Sequence, residues 1–68
     1  MQRIRFSRHA EERMAERHIT KAQIIQALTP PTAITPGKGE RLVATKNGIR
    51  VVFAVINGET VVVTVTRE

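Results

Sequence analysis

Two Asn-Gly dipeptides, Asn47-Gly48 and Asn57-Gly58, interrupt a tail rich in Val, Ile and Thr. Asn-Gly tolerates the positive φ that both central positions of a tight hairpin turn require, and it is the strongest short-range hairpin signal. The runs around these turns, Arg41 to Lys46, Ile49 to Ile56 and Glu59 to Thr66, therefore read as three consecutive antiparallel strands. Alternation assigns Ile49, Val51, Phe53 and Val55 to one face of the central strand, and Arg50, Val52, Ala54 and Ile56 to the other. A two-residue turn at Asn47-Gly48 places Leu42 opposite Phe53. For the second hairpin a two-residue turn would put Val62 and Thr64 beside Phe53 and Val51. A three-residue loop with Gly58 left-handed would put Val61 and Val63 there instead, and burial favours that register. The expected core face then carries Leu42, Phe53 and Val63. The opposite face carries Arg50, Thr64 and Thr66 beside Val52, Ala54, Ile56 and Val62.

The first half reads as helical. Met1 to Phe6 alternates like a short strand or an extended lead-in, and Ser7 is a good N-cap. Glu11 and Glu12 near the start, with Arg17 and His18 near the end, complement a helix dipole over roughly Arg8 to Arg17. His18 stands where a left-handed cap is expected, a conformation His tolerates better than most residues. Thr20-Lys21-Ala22-Gln23 is a capping box for a second helix whose apolar face is Ile24, Ile25 and Leu28. Thr29-Pro30-Pro31 ends it. Thr32 to Glu40 is a turn region in which Ala33-Ile34 suits a short edge strand. The expected fold is one α+β domain over residues 1–68. Its two N-terminal helices pack on one face of a three- to four-stranded antiparallel meander.

A chain this short buries only about 60% of the surface its unfolded form exposes. It has no Cys, so neither a disulfide nor a thiolate metal site supports the core. Self-association through the apolar Val52, Ala54, Ile56, Val62 face would add burial. The longest apolar run, Val51 to Ile56, is far below the roughly 20 residues that span a bilayer, and the arginine-rich start lacks a signal peptide's apolar stretch. The expectation is a cytoplasmic protein with no membrane contact.

Lys and Arg number 11 against 6 acids, for a formal charge of +5. That excess points to an acidic partner: RNA, DNA or an acidic protein. With only Phe6 and Phe53 as aromatics, a base-stacking platform is not expected.

His9, Arg13 and Arg17 recur every four residues, so on a helix they form one ridge with neighbours about 5–6 Å apart. Histidine serves as a general base or acid near neutral pH, and arginine grips phosphate and stabilises charge developing on it. Together they are the side chains that metal-independent RNA cleavage needs. The same spacing also suits a solvated face whose cations pair with Glu12 and Glu16. Arg50, Thr64 and Thr66 can extend a phosphate site. No metal or cofactor is expected: the two histidines form no ligand cluster, and Gly37-Lys38-Gly39 lacks the frame of a P-loop.

The pattern His9-Ala10-x-x-Arg13-Met14-x-x-Arg17-x-Ile19, the capped second helix, the Pro-containing turn and the closing Val63-Thr64-Val65-Thr66 strand resemble a small bacterial family, domain of unknown function 4258. That family is similar in layout to BrnT and the wider RelE-like ribonuclease toxins. The resemblance implies an α+β fold, an RNA substrate, no metal and an acidic antitoxin-like partner. It makes His9, Arg13 and Arg17 the motif's polar residues. His18 departs from the pattern, where such domains often have Gly. The expected function is a small RNA-binding domain, with toxin-type, metal-independent endoribonuclease activity as its catalytic form. His9 would be the general base or acid, and Arg13, Arg17, Arg50, Thr64 and Thr66 would contact phosphate. The alternative is a non-catalytic module that docks a protein through the ridge and the apolar sheet face.

Overall fold

The computed structural model describes residues 3–29 and 33–67. The expected lead-in at Met1 and Gln2, the Pro30-Pro31 stop and the turn start at Thr32 lie outside the described residues. In chain order the elements are β1 (Ile4–Phe6), α1 (Arg8–Arg17), α2 (Lys21–Leu28), β2 (Ala33–Pro36), β3 (Leu42–Lys46), β4 (Ile49–Ile56) and β5 (Glu59–Arg67).

Local chemistry sets the helix ends. Ser7 Oγ accepts the Ala10 N–H at 3.0 Å and starts α1. His18 takes the left-handed conformation at φ 54°, and its N–H closes the helix on the Met14 carbonyl. Thr20 and Gln23 form the reciprocal capping box that opens α2. Strand cations then cap both C-termini. Arg67 donates from Nε to the Arg17 carbonyl and from Nη2 to the His18 carbonyl, each at 3.1 Å. Lys46 Nζ donates to the Thr29 carbonyl at 3.1 Å. These contacts answer the orphan carbonyls and the negative end of each helix dipole.

The sheet order is β1-β5-β4-β3-β2. As expected, β3, β4 and β5 form an antiparallel meander. β2 extends it antiparallel along β3, but β1 joins the far side parallel to β5. Among the described residues the sheet therefore has five strands and is mixed, which corrects the expectation of three or four antiparallel ones. The reason is backbone accounting: without β1, one edge of β5 would leave its N–H and C=O groups unpaired. Thr60 instead donates its N–H to the Arg3 carbonyl at 2.9 Å.

The second hairpin also differs from expectation. Asn57 and Gly58 both have positive φ, as Asn47 and Gly48 do, so both turns hold two residues. Phe53 faces Val62, whereas Val52 faces Thr64 and Val51 faces Val65, so a bulge absorbs Val63. An unbulged strand would have set Thr64 against Val51 in the core. The bulge replaces it with Val65. Val62 and Val65 are fully buried, while Val63 is only half-buried. Val62 thus leaves the expected outer apolar face, and Val63 leaves the expected core. Ser7 holds both bulge carbonyls: its N–H donates to Val62 at 3.0 Å and its Oγ to Val63 at 2.9 Å.

Both helices cover one face of the sheet. Ala10, Met14, Ile19, Ile24 and Ala27 pack with Ala44, Ile49, Val51, Phe53, Val62 and Val65 in one core cluster. Among the described residues, no helix is long and apolar enough to cross a membrane.

Candidate nucleic-acid interface

The ridge forms on α1 as its spacing dictates, but its members meet different fates. His9 is exposed. Arg13 is half-buried and pairs with Glu16, and Arg8 lies 3.8 Å from Glu12. Arg17 is half-buried as its nearness to Ala10 and Met14 suggests, yet its Nη1 is fully enclosed with no hydrogen-bond partner among the described residues. The ridge is therefore one exposed imidazole, one guanidinium already paired to a carboxylate and one held inward.

Arg50, Thr64 and Thr66 lie elsewhere. Ile49, Val51 and Phe53 point into the core beneath the helices, so Arg50 and Val52 project from the other, open face. On that face Arg50 pairs with Thr66, and Val52 with Thr64, in register. The sheet thus separates these three residues from His9, Arg13 and Arg17. His9 is an exposed side chain of α1, and α1 packs on the opposite face of the sheet. A general base must come within about 3 Å of its proton or reach it through one water, so His9 cannot serve a phosphate on the open face.

The open face gathers a different set. A pocket of about 310 Å³ is lined by Lys38, Arg41, Arg50 and Thr64 above an apolar floor that includes Val43 and Val52. The loop after β2 builds one wall. Gly37 donates its N–H to the Arg41 carbonyl at 2.8 Å, and Arg41 donates to Lys38 at 3.3 Å. A Cβ on Gly37 would stand 3.3 Å from both the Arg41 carbonyl oxygen and Val43 Cγ2. Glycine therefore lets the loop lie against Val43, which is 6% exposed although it faces away from the helices. Lys38, Arg41 and Arg50 are all exposed, and none has an ion-pair partner among the described residues.

Lys38 and Arg41 did not emerge from the sequence as site residues. Their signal was faint: a Gly-flanked loop ending in a cation just before a strand. Only the β3–β4 register brings that loop beside Arg50. Among the described residues, no three metal-binding side chains cluster.

This frame can be placed among known sequences. Residues 6–67 match the family described as Domain of unknown function (DUF4258). The chain belongs to that family. Comparisons with curated proteins and with solved structures gave no match. The DUF4258 match takes in α1, the left-handed His18, the capping box and all of β2 to β5. It therefore spans both the α1 ridge and the open-face pocket.

Proposed function

We propose that this DUF4258 chain is an RNA-binding domain that holds phosphate on the open face of its sheet. The observation that carries this function is the convergence of Lys38, Arg41 and Arg50 on one pocket without a carboxylate partner among the described residues. Guanidinium forks match phosphate oxygens, and unpaired cations gain most from displacing counterions. The overall +5 favours encounter with a polyanion. Phe53 is buried and Phe6 carries Lys21 over its ring at 5.4 Å, so the backbone rather than stacked bases is the feature gripped.

A BrnT- or RelE-like ribonuclease reading would add cleavage, with His9 as general base or acid. The geometry favours binding alone, because no histidine lines the pocket and His9 is on α1, across the sheet from it. The test is fluorescence anisotropy on a single-stranded RNA across a salt series. Three phosphate contacts give a slope of about −2 in log K against log salt, and Arg41→Gln or Arg50→Gln should each remove about 0.7 of it. Binding that ignores both substitutions would overturn the assignment.

A trough on the helix side favours a second role, contact with another copy of the chain. Ile25, Ile34 and Val55 stand 45%, 51% and 52% exposed around it, and its lining carries no charged residue. Two copies of a +5 chain can meet there without opposing cations, and charge-poor patches are typical of interface cores. This trough replaces the expected face, which has lost Val62 to the core. Sedimentation should show a concentration-dependent dimer that Ile34→Asp abolishes; a monomer at every concentration removes this role.

A further inference from the structure

The chain's cations are divided between structural tasks and one focus. Arg5, Arg8 and Arg13 face Glu59, Glu12 and Glu16. Lys46 and Arg67 cap helix carbonyls, and Lys21 lies over Phe6. Among the described residues Arg3, Arg17, Lys38, Arg41 and Arg50 have no such partner, and the last three share a single pocket. These three cations gather at one pocket and do not line a track, as a groove following a polynucleotide backbone would require. An internal phosphodiester brings one negative charge. A terminal phosphomonoester brings about −1.5 to −2 at pH 7 and three acceptor oxygens. Three uncompensated cations and the Thr64 hydroxyl match the second ligand better. The apolar floor of Val43 and Val52 then lies where the sugar or base of that nucleotide would rest, and about 310 Å³ falls within the range of small-ligand sites.

We propose that this pocket seats the terminal phosphomonoester of an RNA strand, so that the domain holds RNA by an end. The inference rests on the RNA-binding function above and adds the form of RNA recognised. The test compares one oligoribonucleotide in three forms, with a 5′-phosphate, with a 3′-phosphate and with hydroxyls at both ends, and uses adenosine monophosphate as competitor. One phosphorylated form should bind at least tenfold tighter than the hydroxyl form. Arg41→Gln and Arg50→Gln should erase most of that advantage while leaving the melting temperature unchanged, and the mononucleotide should compete. Equal affinity for all three forms, weakened alike by both substitutions, overturns end recognition and leaves RNA binding standing. Binding of the mononucleotide with no RNA bound in any form overturns both in favour of a free nucleotide. No binding in any arm overturns both outright.

Discussion

Ser7 closes two structures at once, so its removal should cost more than an ordinary helix cap. Its Oγ accepts the Ala10 N–H at 3.0 Å and donates to the Val63 carbonyl at 2.9 Å. Losing an N-cap oxygen costs about 1 kcal/mol. Losing a partly buried hydrogen bond costs about 1 kcal/mol more, since the bulge carbonyl of Val63 is then left without that donor. Ser7→Ala should therefore cost about 2 kcal/mol. A 68-residue domain has only about 3–10 kcal/mol in total. At about 4–8 °C per kcal/mol for a domain of this size, melting should fall by roughly 8–16 °C. Ser7→Thr keeps both the acceptor and the donor, and the cap's extended backbone at φ −68° and ψ 160° suits a β-branched residue. It should stay within about 3 °C of the parent on the same scale. Thermal unfolding followed by circular dichroism measures both variants. Hydrogen exchange at Val63 and Thr64 should speed up in Ser7→Ala alone. A Ser7→Ala protein melting within about 2 °C of the parent, or a Ser7→Thr protein as unstable as Ser7→Ala, would refute the double role.

Three further outcomes follow from the geometry. Arg17→Met should hold or raise the melting temperature, by about 1 kcal/mol in stability, because it replaces an enclosed nitrogen that lacks an acceptor; a clear drop on thermal unfolding would contradict this. Gly37→Ala should cost about 1 kcal/mol and weaken RNA binding, because its Cβ presses on Val43 and the Arg41 carbonyl and moves the pocket wall; unchanged affinity in the anisotropy assay would separate loop from site. His9→Ala should leave melting within about 0.5 kcal/mol and RNA affinity unchanged, since the side chain is exposed and away from the open face; loss of binding would return the ridge to the site.

The legible parts of the fold were those with a local cause. Ser7, Thr20 and Gln23 announce helix starts by side-chain chemistry that acts within three residues, and the two Asn-Gly pairs announce turns by tolerated φ. The left-handed His18 was readable for the same reason. The illegible parts depend on partners far along the chain. β1 is three residues long, too short to show a period, and its parallel partner is β5 at the other end of the sequence. The bulge at Val63 has no composition signal, because Val61, Val62, Val63 and Val65 offer an apolar residue to either face. Burial considered strand by strand therefore chose a regular register. The structure instead keeps the tight turn and shifts parity midway, with Ser7 bonding the displaced carbonyls.

The candidate site was illegible for a related reason. Periodicity on one helix ranks His9, Arg13 and Arg17 as neighbours, and on α1 they are. Periodicity does not say which cations the fold will use for itself. Net charge has the same blindness, since +5 counts Arg67 and Arg50 alike. In the structure Arg67 donates to the carbonyls that end α1, whereas Arg50, nearly opposite it on the neighbouring strand, has no acceptor among the described residues. The cations available to a partner are the remainder once helix ends, carboxylates and ring faces have taken their share. Two members of that remainder, Lys38 and Arg41, come from a loop whose sequence shows no period. They reach Arg50 only because β3 pairs with β4 and Gly37 lets the loop lie on Val43. A phosphate site assembled this way is a product of register, so it becomes visible only when the strand pairing is known.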